Sequence, residues 1–383
     1  MRAALLVMSA ALVAAPAASA APVFLLRDTG GVGVGTQARA GFEAAAALWA
    51  AVFTDPVVIR LDVGFRALGP GILGQAGSAS SDVPYLTVRS ALRADATSLD
   101  DATSAKTLGT TLQFRSNEGG NCTTGEGCLP INPAYRKVDK DNTYDNNFID
   151  ANTTVQKALG LRGDNCTADA AITFSTAFAW DYDRSNGITL GAFDFVGIAA
   201  HEIGHALGFV SGVDLVDFNV GAAGLDSIAW VTVLDLFRYR GSTRDLTVGT
   251  ASCTSINRGK GCFGAMSTGV RNGDGRQASH WKDNQGIGIM DPTAGAGELL
   301  AISAADRRAF DIIGWNLAAT PLMGGQVRRV EEDHLATDVN WHEHILWADY
   351  YRPRPSADVP APAALLLFGL GLAGLGAARR RRG

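Results

Sequence analysis

Two histidines and a glutamate lie close together in the run His201-Glu-Ile-Gly-His205. On an α-helix, side chains four residues apart share a face, with Cβ atoms about 5 to 6 Å apart, so both imidazoles can reach one metal ion. Glu202 is turned from that face by about 100°, which suits it to bond a metal-bound water. The run therefore predicts metal-assisted hydrolysis. The other interpretation is a buried helix with two hydrogen-bonded core histidines.

The residues around this run are typical of a helix. Asp194 is a candidate N-cap, the stretch from Phe195 to Leu207 is mostly apolar, and Gly208 suits the left-handed turn that ends a helix. We therefore expect one buried helix to present both imidazoles.

A catalytic zinc site takes three protein ligands and keeps a fourth position open, so a third ligand must come from elsewhere in the chain. No glutamate lies between Glu202 and Glu298, which argues against a nearby glutamate ligand. Asp214 is close in sequence, although it could instead cap the turn that begins at Ser211. The candidates are Asp214, Asp217, Asp226, His280, His334, His342 and His344.

A resemblance favours one of them. The active-site run followed by a long insertion, Ser279-His-Trp281 and Gly288-Ile-Met-Asp-Pro292 is similar to the leishmanolysin branch of the metzincin zinc peptidases. The resemblance implies that His280 is the third ligand and that Met290 is the Met-turn methionine, a hydrophobic floor beneath the metal. The compact metzincin spacing is absent, because Ser211 stands where its third histidine would fall. Asp214 remains the rival ligand, and Met290 could be an ordinary core residue.

The same resemblance implies an α+β fold of the two-lobed zincin (metzincin-like) type over residues 21–320. A mixed sheet and the active-site helix would form the N-terminal lobe, 21–209, and an irregular C-terminal lobe, 210–320, would carry the Met-turn. The chain also resembles a group of exported bacterial proteins described as metalloproteases, through Trp180-Asp-Tyr-Asp183 and Leu234-Asp-Leu-Phe-Arg238.

Sequence periodicity predicts further elements. One helix is expected to begin after Ser303 as N-cap, with Asp306 in its first turn. The strand that begins at Ala171 is expected to line the cleft and to pair with an extended peptide substrate, or else to be an ordinary internal strand. The predicted helices are Gln37 to Val52 and Ser303 to Ile313, and the predicted strands are Val57 to Phe65, Tyr85 to Val88 and Ala171 to Trp180.

The N-terminal residues predict export. Residues 1–20 combine Arg2, an apolar run and the small-residue site Ala18-Ser-Ala20, the pattern of a secretory signal peptide. Without Arg2 and the four terminal arginines, the formal net charge of −5 becomes about −10. An acidic exported chain is a poor partner for nucleic acid.

The C-terminal residues predict sorting at the membrane. After a connecting segment, 321–358, residues 359–383 contain Val359-Pro-Ala-Pro-Ala363, an apolar stretch and a terminal arginine cluster, and they resemble a PEP-CTERM sorting tail. The resemblance implies an exosortase-type sorting enzyme as partner, transient contact with the inner membrane, and a place in the envelope, at the surface or outside a Gram-negative bacterium. The alternative is a tail anchor with cytoplasmic arginines.

Five cysteines are compatible with disulfides in an exported protein. Their spacing favours the local pairs Cys122 with Cys128 and Cys253 with Cys262, which leaves Cys166 over. Bridges from Cys166 to either pair stay open. A zinc knuckle is disfavoured, because no Cys-x-x-Cys spacing occurs.

Three polar stretches have two interpretations each. Asp139 to Asp150 could bind calcium but lacks the glycine and final glutamate of an EF-hand loop, so a solvated loop is favoured. His342-Glu-His344 could hold a second metal, although a surface strand or packed tail is preferred. Asp181 and Asp183 favour an ordered turn over a structural ion.

Together these patterns predict an exported zinc endopeptidase acting on protein or peptide substrates. Zn²⁺ on His201, His205 and His280 would activate a bound water, and Glu202 would be the general base. The alternative is a non-catalytic surface or matrix protein with a structural zinc site.

Overall fold

Helices and strands of the chain form a mixed α+β fold. The computed structural model describes residues 21–118, 129–319, 327–328 and 340–348. The strands are β1 Val23–Asp28, β2 Val58–Arg66, β3 Ile72–Pro84, β4 Phe114–Ser116, β5 Lys137–Asp139, β6 Phe148–Asn152, β7 Ala170–Ser175, β8 Trp180–Asp181, β9 Phe193–Asp194, β10 Arg238–Arg240, β11 Thr243–Arg244, β12 Ser252–Asn257, β13 Lys260–Met266, β14 Thr293–Ala294, β15 Val327–Arg328 and β16 Asn340–Ala348. The helices are α1 Gln37–Ala50, α2 Tyr85–Asp95, α3 Leu99–Thr107, α4 Tyr144–Asn147, α5 Thr153–Ala158, α6 Phe195–Ala206, α7 Val213–Phe218 and α8 Ala304–Ile312.

The largest sheet is mixed. Its order is β14-β16-β3-β7-β2-β1-β15, and β6 also pairs with β3. Strands β1, β2 and β7 run parallel, whereas β3 is antiparallel to both β7 and β16. A separate four-stranded sheet, β11-β10-β12-β13, lies between α6 and α8 in the chain.

Helix α6 is held in the core by α1 and by the sheet. Phe195 at its start packs on Phe42 and Phe174, with ring centroids 5.3 and 4.8 Å away. Close approach requires Gly41, because a Cβ there would lie 2.3 Å from the Phe195 ring. Trp49 of α1 donates a hydrogen bond from Nε1 to the Ala200 carbonyl at 2.7 Å. These contacts fix the position of the helix that carries the histidine run.

Several predicted elements are confirmed. The predicted helix from Gln37 is α1, and the predicted strand from Val57 is β2. Helix α8 has Ser303 as N-cap, whose hydroxyl accepts a hydrogen bond from Asp306 N at 3.1 Å. The turn at Asp181 is ordered by its own carboxylate, which accepts from Thr189 N at 2.7 Å.

Two strand predictions are corrected. Tyr85–Val88 is not a strand but the first turn of α2, because the buried residues Tyr85, Val88 and Leu92 follow the helical spacing once the window extends beyond Val88. The strand from Ala170 ends at Ser175, and it lies between β3 and β2. It is therefore the internal strand of the two interpretations, because β3 and β2 already use both of its edges.

Some predicted segments have only a partial description. The segment 321–358 contributes β15 and β16 to the largest sheet. Cys253 and Cys262 form the predicted disulfide between β12 and β13, and Cys166 has a free, exposed thiol. The predicted signal peptide, the pair Cys122 with Cys128, and the sorting tail lie outside the described residues. Within the described ranges, no helix is long and apolar enough to span a bilayer.

Candidate metal centre

Helix α6 carries two predicted ligands and the predicted base in a buried turn. Its N-cap is Asp194, whose carboxylate accepts a hydrogen bond from Gly197 N at 2.9 Å. Every residue of the helix is buried, as its mostly apolar sequence indicates. Gly208 follows with φ 109°. This left-handed turn is followed by Phe209, whose carbonyl lies 2.8 Å from His205 Nδ1.

His280 meets the two helix histidines from the segment between β13 and β14. Its Nε2 atom lies 3.1 Å from His205 Nε2 and 3.3 Å from His201 Nε2. The two helix histidines are 3.1 Å apart at the same atoms. The three predicted ligand atoms thus converge on one point, although His280 is 75 residues from His205 in the chain.

The other ring nitrogen of each histidine determines which form of the ring is present. The Nδ1 atoms of His201, His205 and His280 lie 2.7, 2.8 and 3.3 Å from the carbonyl oxygens of Ile289, Phe209 and Gln277. A carbonyl oxygen only accepts, so Nδ1 carries the proton and Nε2 keeps its lone pair.

This geometry fits a zinc ion. Three lone pairs separated by 3.1 to 3.3 Å repel one another unless a cation lies among them. A tetrahedral zinc with bonds of about 2.0 to 2.1 Å to nitrogen would place those nitrogens about 3.3 Å apart. His201, His205 and His280 therefore have the spacing and the ring form that zinc needs, while their role as ligands stays a prediction.

Burial also keeps these imidazoles neutral. Desolvation lowers the pKa of His201 to about 4. Desolvation likewise lowers the pKa of His205 and of His280 well below the ordinary value, and repulsion from neighbouring imidazoles lowers both further. The neutral ring is the form that binds a metal.

Glu202 lies on α6 with His201 and His205 and is completely buried. Among the described residues, no group donates a hydrogen bond to either carboxyl oxygen, and burial raises the pKa of this carboxyl well above its ordinary value. A Cβ added to Gly74 of β3 would lie 2.9 Å from Glu202 Oε1, so the carboxyl group lies against β3. A buried carboxyl group without a bonding partner is costly to stability, and such groups are frequent at functional sites.

The carboxylate of Asp214, the alternative third ligand, is hydrogen-bonded to other groups. It accepts hydrogen bonds from Ala278 N at 2.6 Å and from the Ser279 hydroxyl at 2.6 Å. The group of residues close enough to share a metal contains His280 and not Asp214. Asp214 therefore orients the backbone just before His280.

Met290 lies against α6, while its role as the Met-turn methionine stays a prediction. A Cβ on Gly204 would come 2.4 Å from the Met290 sulfur, which shows how closely the turn approaches α6. The turn is held by Asp306 of α8, which accepts from Ile289 N at 2.8 Å and from Trp281 Nε1 at 2.7 Å. Asp306 thus fixes both the carbonyl that meets His201 and the residue after His280.

A buried arginine supports the same region, and the sequence did not identify its role. Arg238 donates to the Ala278 carbonyl at 3.0 Å and to the Ser267 carbonyl at 2.6 Å. Asp235 accepts from the Ser211 hydroxyl at 2.6 Å. Both residues belong to the run Leu234–Arg238, which sequence resemblance had singled out without assigning a contact.

A fourth histidine reaches the centre from β16. His344 is buried, and its ring stacks on that of His205 with centroids 4.2 Å apart and planes 19° apart. His344 is not in the group of three that could share a metal. The expectation of a strand is confirmed, but this strand lies within the largest sheet. In the sequence, β16 is marked only by a short run rich in Trp and His. Such a run does not indicate which strand β16 pairs with.

The carboxylates of Asp139, Asp145 and Asp226 form a second polar group, with oxygens within 4.8 Å of one another. Burial raises the pKa of Asp145 to about 8, and the charge of Asp139 adds to the shift. The predicted solvated loop over Asp139 to Asp150 is therefore wrong. The segment contains α4 and β6, and partners such as Trp230 Nε1, 3.0 Å from Asp145, allow its carboxyl groups to be buried.

Comparison with known proteins identifies the C-terminal end of the chain. A family model described as the PEP-CTERM protein-sorting motif matches residues 358–382. The motif indicates a bacterial protein that is exported to the cell envelope or surface and recognised by an exosortase-type sorting enzyme. Searches of the curated proteins and of the solved structures found no match.

Proposed function

We propose that the protein is an exported zinc-dependent endopeptidase. The observation that carries this proposal is the convergence of three buried Nε2 atoms within 3.1 to 3.3 Å of one another. Each ring is held by a backbone carbonyl in the form that a metal requires. Glu202, the next residue after His201, supplies a carboxyl group that no structural contact accounts for.

The three histidines would hold zinc. When bound, zinc supplies a Lewis acid that polarises a peptide carbonyl and lowers the pKa of a coordinated water to about 7. His201 and His205 lie on the rigid, fully buried α6, and His280 is fixed through Asp214 and its neighbours. Ligands with so little freedom keep their geometry during a reaction.

Glu202 would move the proton. Its carboxylate accepts a proton from the attacking water and then donates that proton to the nitrogen of the leaving amine. Burial raises the pKa of this carboxyl, which favours the protonated form that donates to the amine. A zinc ion held beside it would favour the carboxylate that accepts the proton from water.

The proposed fold is that of a two-lobed zincin of the metzincin type, with its lobes at 21–209 and 210–320. Support comes from α6 packed against a mixed sheet and from the Met290 turn beneath it. The proposed location is the envelope or surface of a Gram-negative bacterium, and the proposed substrate is a protein or peptide.

The test compares the purified wild type with Glu202→Gln for zinc content and for casein cleavage. Gln keeps the size of the side chain but cannot accept the proton. We expect equal zinc content and a loss of cleavage of about 10² to 10⁴-fold, the usual contribution of a general base. Glu298→Gln, at an exposed position, is the control and should cleave normally. Equal cleavage by Glu202→Gln and wild type would remove Glu202 from the mechanism.

A structural zinc site in a surface or matrix protein is the second candidate function. The complete burial of His201, His205 and His280 favours it, because structural sites are closed to solvent. It predicts one bound zinc and no hydrolysis of a peptide library by any variant of the chain. It also leaves Glu202 without a role, which is why we favour the enzyme.

A further inference from the structure

Strand β16 covers the candidate metal centre. It runs antiparallel to β3 over nearly its whole length, from Asn340 opposite Ser80 to Trp347 opposite Ile72. On its other side it pairs with β14. It also contacts α6. A segment from the end of the chain thus fills the sheet position next to the strand that borders the centre.

The strand register places β16 next to Glu202 and His205. Gly74, the residue of β3 that lies against the Glu202 carboxyl group, pairs with Leu346. Two residues along the same face, Ala76 pairs with His344. The His344 ring lies on the His205 ring. Together with the core, this strand leaves Glu202 and the three converging histidines with no exposed surface.

A peptidase with this centre needs an extended substrate at the same edge. An extended peptide binds most simply by adding a strand to an open sheet edge, since its main chain is then satisfied whatever its side chains are. Among the described strands, β3 is the one that lies against Glu202, and its edge is taken by β16. A substrate and β16 cannot occupy that edge together.

We infer that β16 is an internal inhibitor, which occupies the peptide-binding edge of β3 and shields the metal centre with His344. The inference rests on the proposed function and assigns its regulation. The wild type cleaves slowly, through the small fraction of molecules in which β16 has left β3, and cleavage rises when β16 is released. The ligand of the vacated edge is an extended polypeptide bound antiparallel to β3.

The experiment releases β16 within the full-length protein. Glu343→Pro combined with Leu346→Pro breaks the strand, because alternate residues bond to opposite neighbours and one of the two must face β3. Val327→Pro combined with Arg328→Pro disrupts β15 at the opposite edge of the sheet and is the matched control. We expect the released variant to cleave casein about tenfold or more faster than the wild type, and the control to match the wild type.

A binding measurement gives a readout that does not depend on cleavage. A synthetic peptide with the sequence of Asn340–Ala348 is titrated calorimetrically into each zinc-loaded protein. It should bind the released variant and not the wild type or the control. The same peptide with His344→Ala should bind the released variant more weakly.

A single substitution covers the case in which the double variant does not fold. His344→Ala leaves the backbone pairing in place but removes the ring from His205, so a chelator should extract zinc faster than from the wild type. Peptide binding without any cleavage would refute the proposed endopeptidase activity but would support the β3 edge as a peptide-binding site. Three results together would refute the proposal that β16 is an inhibitor. They are equal cleavage rates for the wild type and the released variant, no binding of the peptide, and unchanged zinc extraction from His344→Ala.

Discussion

At the scale of single residues, the suitability of each histidine as a metal ligand depends on a backbone carbonyl that bonds to its Nδ1 atom. The carbonyl of Ile289 meets His201 Nδ1 at 2.7 Å, and that of Phe209 meets His205 Nδ1 at 2.8 Å. Such partners fix the ring form and orientation of a metal ligand. The residue types and the i, i+4 spacing could be read from the sequence. The carbonyls could not, because their positions depend on the completed fold.

A buried carboxyl group makes a residue-scale prediction about pH. The pKa of Asp145 is raised by burial and by the charge of Asp139 to about 8, above its value in the unfolded chain. The folded state then holds a proton that the unfolded state releases, so the stability from this group is lost as pH rises from about 4 to 8. Asp145→Asn keeps an oxygen acceptor for Trp230 and cannot ionise. We expect its melting temperature, relative to wild type, to increase steadily across that range.

The measurement is thermal unfolding of both proteins at closely spaced pH values. Glu298→Gln, which changes an exposed carboxylate, is the control and should follow the wild type at each pH. A constant difference between Asp145→Asn and wild type from pH 4 to 8 would show that Asp145 does not titrate with the predicted shift.

At the scale of elements, the sequence predicts those features that depend only on neighbouring residues. The N-caps Asp194 and Ser303 and the turn at Gly208 are determined by residues within one helical turn, and all three predictions hold. Pairing between distant strands has no local signal. The strand from Ala170 therefore could not be recognised as internal rather than as the cleft edge, and β16 could not be placed beside β3, about 260 residues earlier in the chain.

Helix α8 makes an element-scale prediction, because its first turn holds the Met290 turn. Both carboxylate oxygens of Asp306 accept hydrogen bonds from donors, among them Ile289 N and Trp281 Nε1. Asp306→Asn would turn an NH₂ group towards donors, at a cost of about 1 to 3 kcal/mol. The Ile289 carbonyl would lose its fixed position opposite His201, and zinc affinity should fall about 10 to 100-fold.

Competition with a fluorescent zinc chelator measures that affinity. The matched control is Asp311→Asn in the same helix, since Asp311 bonds to the Ser98 hydroxyl and not to the turn. Its zinc affinity should equal that of the wild type. Equal affinities for Asp306→Asn and Asp311→Asn would mean that the turn is positioned by other contacts.

At the scale of the whole molecule, the candidate centre joins parts of the chain that are otherwise separate. The proposed ligands His201 and His205 come from α6, and His280, the proposed third ligand, follows the four-stranded sheet β11-β10-β12-β13. A site that contains all three histidines exists only in the folded chain. The free energy of metal binding therefore adds to folding stability. Zinc and the disulfide between Cys253 and Cys262 would both act on the same C-terminal half of the described structure.

This coupling predicts how zinc changes thermal unfolding. With free zinc about 100-fold above the dissociation constant, the wild type should gain about 2.7 kcal/mol relative to the protein in excess chelator. His280→Ala removes one of the three proposed ligands and should lose most of that gain. Asp214→Asn should keep a larger part of that gain, because Asp214 contacts the backbone before His280 and not the three Nε2 atoms. If Asp214→Asn abolished the gain while His280→Ala kept it, the third ligand would be Asp214, and the convergence of imidazoles would have another cause.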